Sequence, residues 1–362
     1  MSELEALLAI RNQIDETDSQ IQQLLNKRTA MAEEVARIKI ANGEQVNDFY
    51  RPEREAMVLR QVMERNTGPL SDVEMARLFR EIMSACLAAE KPLQVAYLGP
   101  EGSFTQAAVL KQFGGSVELQ ANSTIPDVFH AVETGQANYG VVPVENSTEG
   151  MVSHTLDRFI NTPLKINGEV SLRVHHNLLS NTKSLNDIKV VYAHPQALAQ
   201  CRHWLKEQLP NCELLPMNSN SEAAKKVSLE ANSAAIASDR AAEIYDLSII
   251  ANNIEDETNN TTRFLVIGSQ DVGPSGHDKT ALLVSTKNKP GALQVLLKPL
   301  SDSGISMTRI ESRPSRTGMW EYVFFIDIEG HSKDKSVADA LELLEQESSM
   351  CRVLGSYPKA VL

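Results

Sequence analysis

The 362-residue chain has no Lys/Arg-rich run and no basic segment: 47 Asp and Glu outnumber 35 Lys and Arg, leaving a formal charge of −12. That argues against nucleic acid as a partner, because no stretch could supply the phosphate-neutralising contacts on which such binding depends. An anionic ligand must be held by local cations instead. Cysteine is scarce and scattered: Cys86, Cys201, Cys212 and Cys351 form no C-x-x-C pair and have no histidine at metal spacing. Neither a disulfide framework nor a zinc site is expected from them. The eight histidines include no H-E-x-x-H, and His175-His176 are expected on a strand rather than around a metal. No run of about 18 apolar residues is available to cross a membrane. The N-terminal MSELEALLAIRNQID is acidic and periodic, without the basic start and apolar centre of a secretion signal. No metal, cofactor or membrane partner is expected, and the cytoplasm is the expected location.

What is present is an ordinary globular composition, 42% hydrophobic and 23% charged, in a chain long enough for two or three domains. Residues 3 to 40 read as one helix of roughly 55 Å at about 1.5 Å per residue, longer than a lone globular domain uses, so it must lie along a partner. ANGEQVNDFYRP interrupts it, Pro52 suits the first turn of a second helix, and NTGPLSD precedes a third that carries Met75, Leu78, Phe79, Ile82, Met83, Cys86 and Glu90 on one face. From Leu93 the pattern changes to short β runs alternating with helices: LQVAYLG, YGVVPVE, INGEVSLRV, IKVVYA, CELLPM, AAIAS, LSIIA and TRFLVIG. This many strands in such a length suits two α/β lobes with a ligand cleft between them. GSQDVGPSGHDK reads as a linker, and the last stretch has the order βαββαβ of a ferredoxin-like module. The expected architecture is multidomain: all-α over 1–91, two-lobed α/β over 93–270 and ferredoxin-like over 279–362.

The long first helix poses a charge problem. In heptad register one seam row holds Leu4, Arg11, Asp18, Leu25, Ala32 and Lys39, the other Leu7, Ile14, Ile21, Arg28 and Val35, so seven positions are apolar and four charged. Each unpaired buried ion costs several kcal/mol. A single polar seam residue commonly fixes register. Three cations and an acid in one seam favour a binding site for an anion with more than one carboxylate, and Asp18 reads as a structural partner for an arginine.

At these residues the N-terminal segment resembles the all-helical chorismate mutase domain, an intertwined homodimer. The resemblance implies that Arg11 serves the neighbouring subunit's site while Arg28 and Lys39 serve their own, and it continues through RPEREAMVL, with Arg54 and Glu55, into MARLFREIMSACLAAE. It implies a pericyclic rearrangement of chorismate, which needs no nucleophile or metal, only a clamp on the reactive conformer and donors at the ether oxygen. Arg11, Arg28 and Arg54 would grip carboxylates, Lys39 would donate to the ether oxygen and Glu55 would receive the substrate hydroxyl. Two positions depart from the family pattern: Glu90 stands where several members have a glutamine donor, and Cys86 where they have a carboxylate-binding serine. Glu90 either donates as a protonated carboxyl, if burial governs it, or only positions Lys39, if an ion pair does.

YLGPEGSFTQAA, VVPVENSTEG, YAHPQALAQC and NTTRFLVIG, in this order, are similar to the prephenate dehydratase family. The whole chain resembles the bifunctional chorismate mutase/prephenate dehydratases. Loss of CO2 and the ring hydroxyl from prephenate would give phenylpyruvate, with aromatisation as the driving force. By this resemblance Thr262 stands at the leaving hydroxyl with Glu145 as its proton relay, and Arg263 holds a carboxylate. Asn146, Ser147, Thr148 and Gln200 are the orienting donors. Ala193 occupies a position where many members carry serine, and His194 is read as a cap on the helix opened by Pro195 in preference to a ligand contact. The C-terminal module resembles the ACT domain, a regulatory fold. Its KPGAL and ESRP segments imply phenylalanine contacts at Gly291, Ala292 and Leu293 and at Glu311, Ser312, Arg313 and Pro314. Together these imply an enzyme of phenylalanine synthesis, a homodimer or higher homo-oligomer, inhibited by phenylalanine. The alternative is an amino-acid sensor with an inert cleft, against which the set Arg11, Arg28, Lys39, Arg54 and Glu55 speaks, since a dimerisation arm would not need it.

Overall fold

The computed structural model describes residues 3–41, 50–286, 289–314 and 322–362. Three helices come first: α1 (Glu3–Ala41), α2 (Pro52–Glu64) and α3 (Asp72–Glu90). Pro52 opens α2 at a position where its missing N–H costs nothing, and Ser71 caps α3 by accepting from the Glu74 N–H at 3.2 Å. Most of the interrupting segment ANGEQVNDFYRP, residues 42–49, lies outside the described residues. Within its own chain α1 is bare along most of its length. Leu7, Ile14, Ile21 and Val35 are 47%, 53%, 49% and 52% exposed, and Ala36 is its one buried residue. Asp18 is exposed on this seam and meets no arginine of its own chain among the described residues. On α3 Cys86 of the expected apolar face is buried, and so is a second stripe, Ala76, Arg80 and Ser84, whose Arg80 and Ser84 meet the following domain. A Cβ on Gly114 would sit 2.6 Å from that of Ser84, so glycine permits the close approach.

The α/β body has two lobes. The first contains β1 (Gln94–Leu98), α4 (Phe104–Phe113), β2 (Glu118–Asn122), α5 (Ile125–Glu133), β3 (Tyr139–Asn146), β4 (Gly150–Met151), α6 (Ser153–Phe159) and β5 (Lys165–Arg173). The chain crosses at 174–176 to the second lobe: β6 (Asn177–Ser180), β7 (Val190–Ala193), α7 (Pro195–Gln200), α8 (Arg202–Gln208), β8 (Glu213–Pro216), α9 (Asn220–Val227), β9 (Ser233–Ala237), α10 (Asp239–Ile244) and β10 (Ser248–Ala251). It then returns through 252–260 to β11 (Thr261–Gly268). The sheets run β2-β1-β3-β11-β5, with β4 on β3, and β10-β6-β9-β7-β8. His175 and His176 lie on the first crossover, not on a strand. Glu255 of the second crossover accepts from the His176 N–H at 2.9 Å and bonds His175 Nδ1 at 2.8 Å, tying the two connections together.

The last module is β12 (Asp278–Thr286), α11 (Ala292–Asp302), β13 (Met307–Pro314), β14 (Tyr322–Glu329), α12 (Lys335–Glu347) and β15 (Met350–Pro358), in sheet order β13-β14-β12-β15. This is the expected ferredoxin-like arrangement. Its helices cover Leu282, Val284, Ile326 and Ile328 on one face of the sheet. The other face joins the first lobe: Leu283, Val323, Phe325, Leu354 and Tyr357 share one core with Phe129, Val142, Val144, Phe159 and Leu265. The expected linker is correspondingly pinned. Val272 is buried, and Arg60 of α2 donates to the carbonyls of Ser275 at 3.0 Å and His277 at 3.1 Å.

Candidate functional sites

The C-terminal half of α1, the start of α2 and the end of α3 enclose a hollow of about 310 Å³. Arg28, Lys39, Arg54, Glu55, Cys86 and Glu90 all line it, so six of the residues expected in the helical site are brought together. Arg11 is not among them. It is exposed and lies seventeen residues before Arg28, about 25 Å along a helix of 1.5 Å rise, so it cannot reach the same hollow. Cys86 Sγ is 3.3 Å from Thr29 Oγ1. Glu90 is half-buried, and desolvation raises its pKa against the pull of Lys39, with Glu33 adding to the rise. Glu55 has an engagement that the sequence did not suggest: its Oε1 accepts from Arg80 Nε at 3.1 Å, and Arg80 also donates to the Lys111 carbonyl at 2.7 Å. Burial raises the Glu55 pKa while Arg80 opposes that rise. Arg80 lies off the apolar face that the sequence marks on α3, and nothing in the sequence singles it out. Arg51 also lines the hollow, as do Phe113, Ser116 and Val117 of the α/β body.

A second hollow, of about 110 Å³, lies between the lobes around Thr262, and its lining side chains include no Lys or Arg. Here a closed ring of hydrogen bonds fixes the amides of Asn146, Asn260 and Gln200. Asn146 Nδ2 donates to Asn260 Oδ1 at 2.7 Å, Asn260 Nδ2 to Gln200 Oε1 at 3.2 Å, Gln200 Nε2 to Thr148 Oγ1 at 3.1 Å, and Thr148 Oγ1 to Asn146 Oδ1 at 2.6 Å. Asn146 Nδ2 also donates to Thr262 Oγ1 at 2.8 Å, which leaves the threonine proton directed elsewhere. His176 Nε2 bonds Gln200 Oε1 at 2.8 Å, and burial lowers the histidine pKa, so the ring is neutral and Nε2 carries the hydrogen. Asn260 and His176 were missed. NNTTRF held the signal for the first, since residues two apart on a strand share a face. His194 caps α7 by accepting from the Gln196 N–H at 3.3 Å and also lines the hollow, while Ser147 instead closes the end of the β3–β11 pair by bonding Thr261 and Asn259.

Glu145 and Arg263 do not face this hollow. On antiparallel β3 and β11 Asn146 is opposite Thr262 and Glu145 opposite Arg263. Successive side chains of a strand point to opposite faces, so placing Asn146 and Thr262 in the cleft turns their neighbours toward the C-terminal module. There Arg263 donates from Nε to Glu169 at 2.9 Å and from Nη2 to Asp327 at 2.8 Å and Tyr357 at 3.1 Å. The expected relay from Glu145 to Thr262 and the expected grip of Arg263 on a substrate carboxylate are both corrected by this geometry.

In the C-terminal module Gly291, Ala292 and Leu293 border a hollow of about 240 Å³ with Thr286, Tyr322 and Phe324. Gly291 caps α11 at φ +78°, a conformation that favours glycine. Glu311, Ser312, Arg313 and Pro314 do not line it. Ser312 and Pro314 pair with Phe324 and Tyr322 and share their face, whereas Arg313 turns away to Ser153 at 2.8 Å and Asp157 at 2.9 Å on α6. Among the described residues no group of three or more His, Cys, Asp and Glu is placed to hold a metal, and no helix is long and apolar enough to cross a membrane.

Three family descriptions match the chain: type II chorismate mutase over residues 10–91, prephenate dehydratase over 95–272 and the ACT domain over 280–345. They define a multidomain enzyme that joins an isomerase domain and a lyase domain to a regulatory fold. The bifunctional chorismate mutase/prephenate dehydratase of Stutzerimonas stutzeri is 55% identical over 365 residues, covering 100% of both chains. The chain belongs to the bifunctional chorismate mutase/prephenate dehydratase family. Among solved structures, the prephenate dehydratase of Arthrobacter aurescens in complex with L-Phe has a TM-score of 0.68 at 34% identity, covering 74% of this chain and 90% of that one. A structure titled GqqA, a novel type of quorum quenching acylase, has a TM-score of 0.69 at 31% identity, covering 74% of this chain and 98% of that one.

Proposed function

We propose that the helical hollow converts chorismate to prephenate and that the Thr262 cleft converts prephenate to phenylpyruvate. The observation that carries the reading is the contrast between the two hollows: one is ringed by cations, the other is a neutral hydrogen-bonding cage around a single hydroxyl. Arg28 and Arg54 suit the two carboxylates of chorismate, and Lys39 with a protonated Glu90 suits the negative charge that grows on the ether oxygen. Cys86 supplies a small wall, and Glu55, steadied by Arg80, keeps a carboxylate oxygen for the substrate hydroxyl. Arg11 completes the hollow of a second copy. A homodimer through α1 is supported by that reach and by the apolar seam left uncovered, each large side chain of which gains about 1.5–3 kcal/mol on full burial.

In the second reaction the C–COO⁻ bond breaks as CO2 departs. Its electron pair enters the ring and the C–OH bond breaks toward oxygen, so the departing hydroxide needs a proton or a strong hydrogen bond. Thr262 already accepts from Asn146 and therefore presents its own O–H to that group. Gln200 and Thr148 hold the cage, and Ser147 holds the strand end. Phenylalanine would occupy the hollow at Gly291–Leu293, next to Ser312 and Pro314, and inhibit the dehydratase. The three units would span 1–91, 93–270 and 279–362, and the enzyme would work in the cytoplasm. Purified protein given chorismate should produce phenylpyruvate, and less of it when phenylalanine is added. Accumulation of prephenate alone, or no consumption of chorismate, would overturn the reading.

A further inference from the structure

The β3–β11 pair carries two different sets of residues on its two faces, and no chemistry described so far uses the second. Arg263, 15% exposed, bridges Glu169 of the first lobe and Asp327 of the regulatory module, and Tyr357 accepts a further bond from it. Lys279 joins Glu169 at 2.7 Å, and Arg309 lies 3.6 Å from Glu145 and 3.7 Å from Asp327. Arg263, Arg309 and Lys279 thus balance Glu145, Glu169 and Asp327, three charges of each sign in a largely buried network. The network neighbours are backbone neighbours of the cage: Arg263 follows Thr262, and Glu145 precedes Asn146.

A buried guanidinium cannot release its carboxylates cheaply. If β14 and β15 shift, Arg263 moves with Asp327 and Tyr357, and its rigid backbone link carries Thr262. Arg313 makes a second tie on β13, where its neighbours Ser312 and Pro314 face the side of the hollow at Gly291–Leu293 while its own side chain holds α6, just beyond Thr148 in sequence. We propose that Arg263 is a positioning residue that transmits the state of the regulatory module to Thr262, with Asp327 and Tyr357 as its handles. This rests on the reading of Thr262 as the dehydratase group and of the module as the phenylalanine site.

The test uses the full chain carrying Asp327→Asn or Tyr357→Phe, neither of which touches either catalytic hollow. Dehydratase kcat and KM for prephenate, the rate remaining at saturating phenylalanine, and phenylalanine binding by calorimetry would be measured for each. Each variant should still bind phenylalanine and keep its uninhibited kcat within about threefold. The rate remaining at saturating phenylalanine should rise at least about fivefold, as expected when a coupling free energy is removed without removing the ligand. Tyr357→Phe, which deletes one hydroxyl, keeps the test valid if Asp327→Asn fails to fold. Unchanged inhibition in both variants overturns the proposal, and so does loss of phenylalanine binding, which would make these residues part of the ligand site. Wild-type protein that phenylalanine does not inhibit, or Thr262→Ala protein with full dehydratase activity, would instead overturn the underlying reading and the coupling with it.

Discussion

Gly355 on β15 lies close against β5 of the dehydratase lobe, and it gives a quantitative check on that junction. A Cβ built there would collide with the Ile166 carbonyl oxygen and lie 2.8 Å from the Ile166 nitrogen and 2.9 Å from its carbonyl carbon. These are backbone atoms of β5, the edge strand of the first lobe's sheet, so no side chain can rotate away. Ordinary contact begins near 3.4 Å, and the Gly355→Ala chain must therefore separate β15 from β5 by half an ångström or more. Overpacking of this kind costs about 1–3 kcal/mol. At about 2–4 °C per kcal/mol for a body of 150–250 residues, the dehydratase midpoint should fall by roughly 2–12 °C. The assay is heat inactivation of dehydratase, with mutase activity followed in the same samples. A dehydratase midpoint within a degree of wild type would refute the close approach of β15 to β5.

Glu90 should give mutase turnover a descending alkaline limb. Desolvation raises its pKa despite Lys39, a carboxyl donates only when protonated, and activity is therefore present below that pKa and lost as pH rises through it. Glu90→Gln should flatten the profile, and a wild-type profile already flat from mildly acidic to mildly alkaline pH would remove the protonated-donor role. Arg80→Met should destabilise the helical domain by about 3–5 kcal/mol, because Glu55 is left buried without its partner. Adding Glu55→Gln should restore part of that, as read from urea midpoints; a single variant as stable as wild type would show the pair to be dispensable.

The elements were legible wherever one physical pattern dominated. The heptad of α1 and the βαββαβ order of the last module needed no more than periodicity. β2, β4 and β6 were missed, the first because ELQAN is a polar edge strand, the second because GM is only two residues and the third because NLLS is only four residues, all buried. The resemblance puts Glu145 and Arg263 in the cleft beside Thr262, whereas the alternation of the strand TRFLVIG sends Thr262 and Arg263 to opposite faces. The shared core also left a trace: ALLV in β12 is apolar without alternation, as a strand covered on both faces should be. The proposed role of Arg11 in a second copy's hollow lies outside any single chain's geometry, and the uncovered seam of α1 is what supports it.

The central claim is that one chain runs two reactions at two separate sites, and substitution at each site tests it most directly. Arg28→Ala and Thr262→Ala proteins, each verified as folded by circular dichroism, would be given chorismate and, separately, prephenate. Arg28→Ala should leave chorismate unconverted yet turn supplied prephenate into phenylpyruvate, whereas Thr262→Ala should convert chorismate and accumulate prephenate. Loss of both activities from either folded variant would contradict the account.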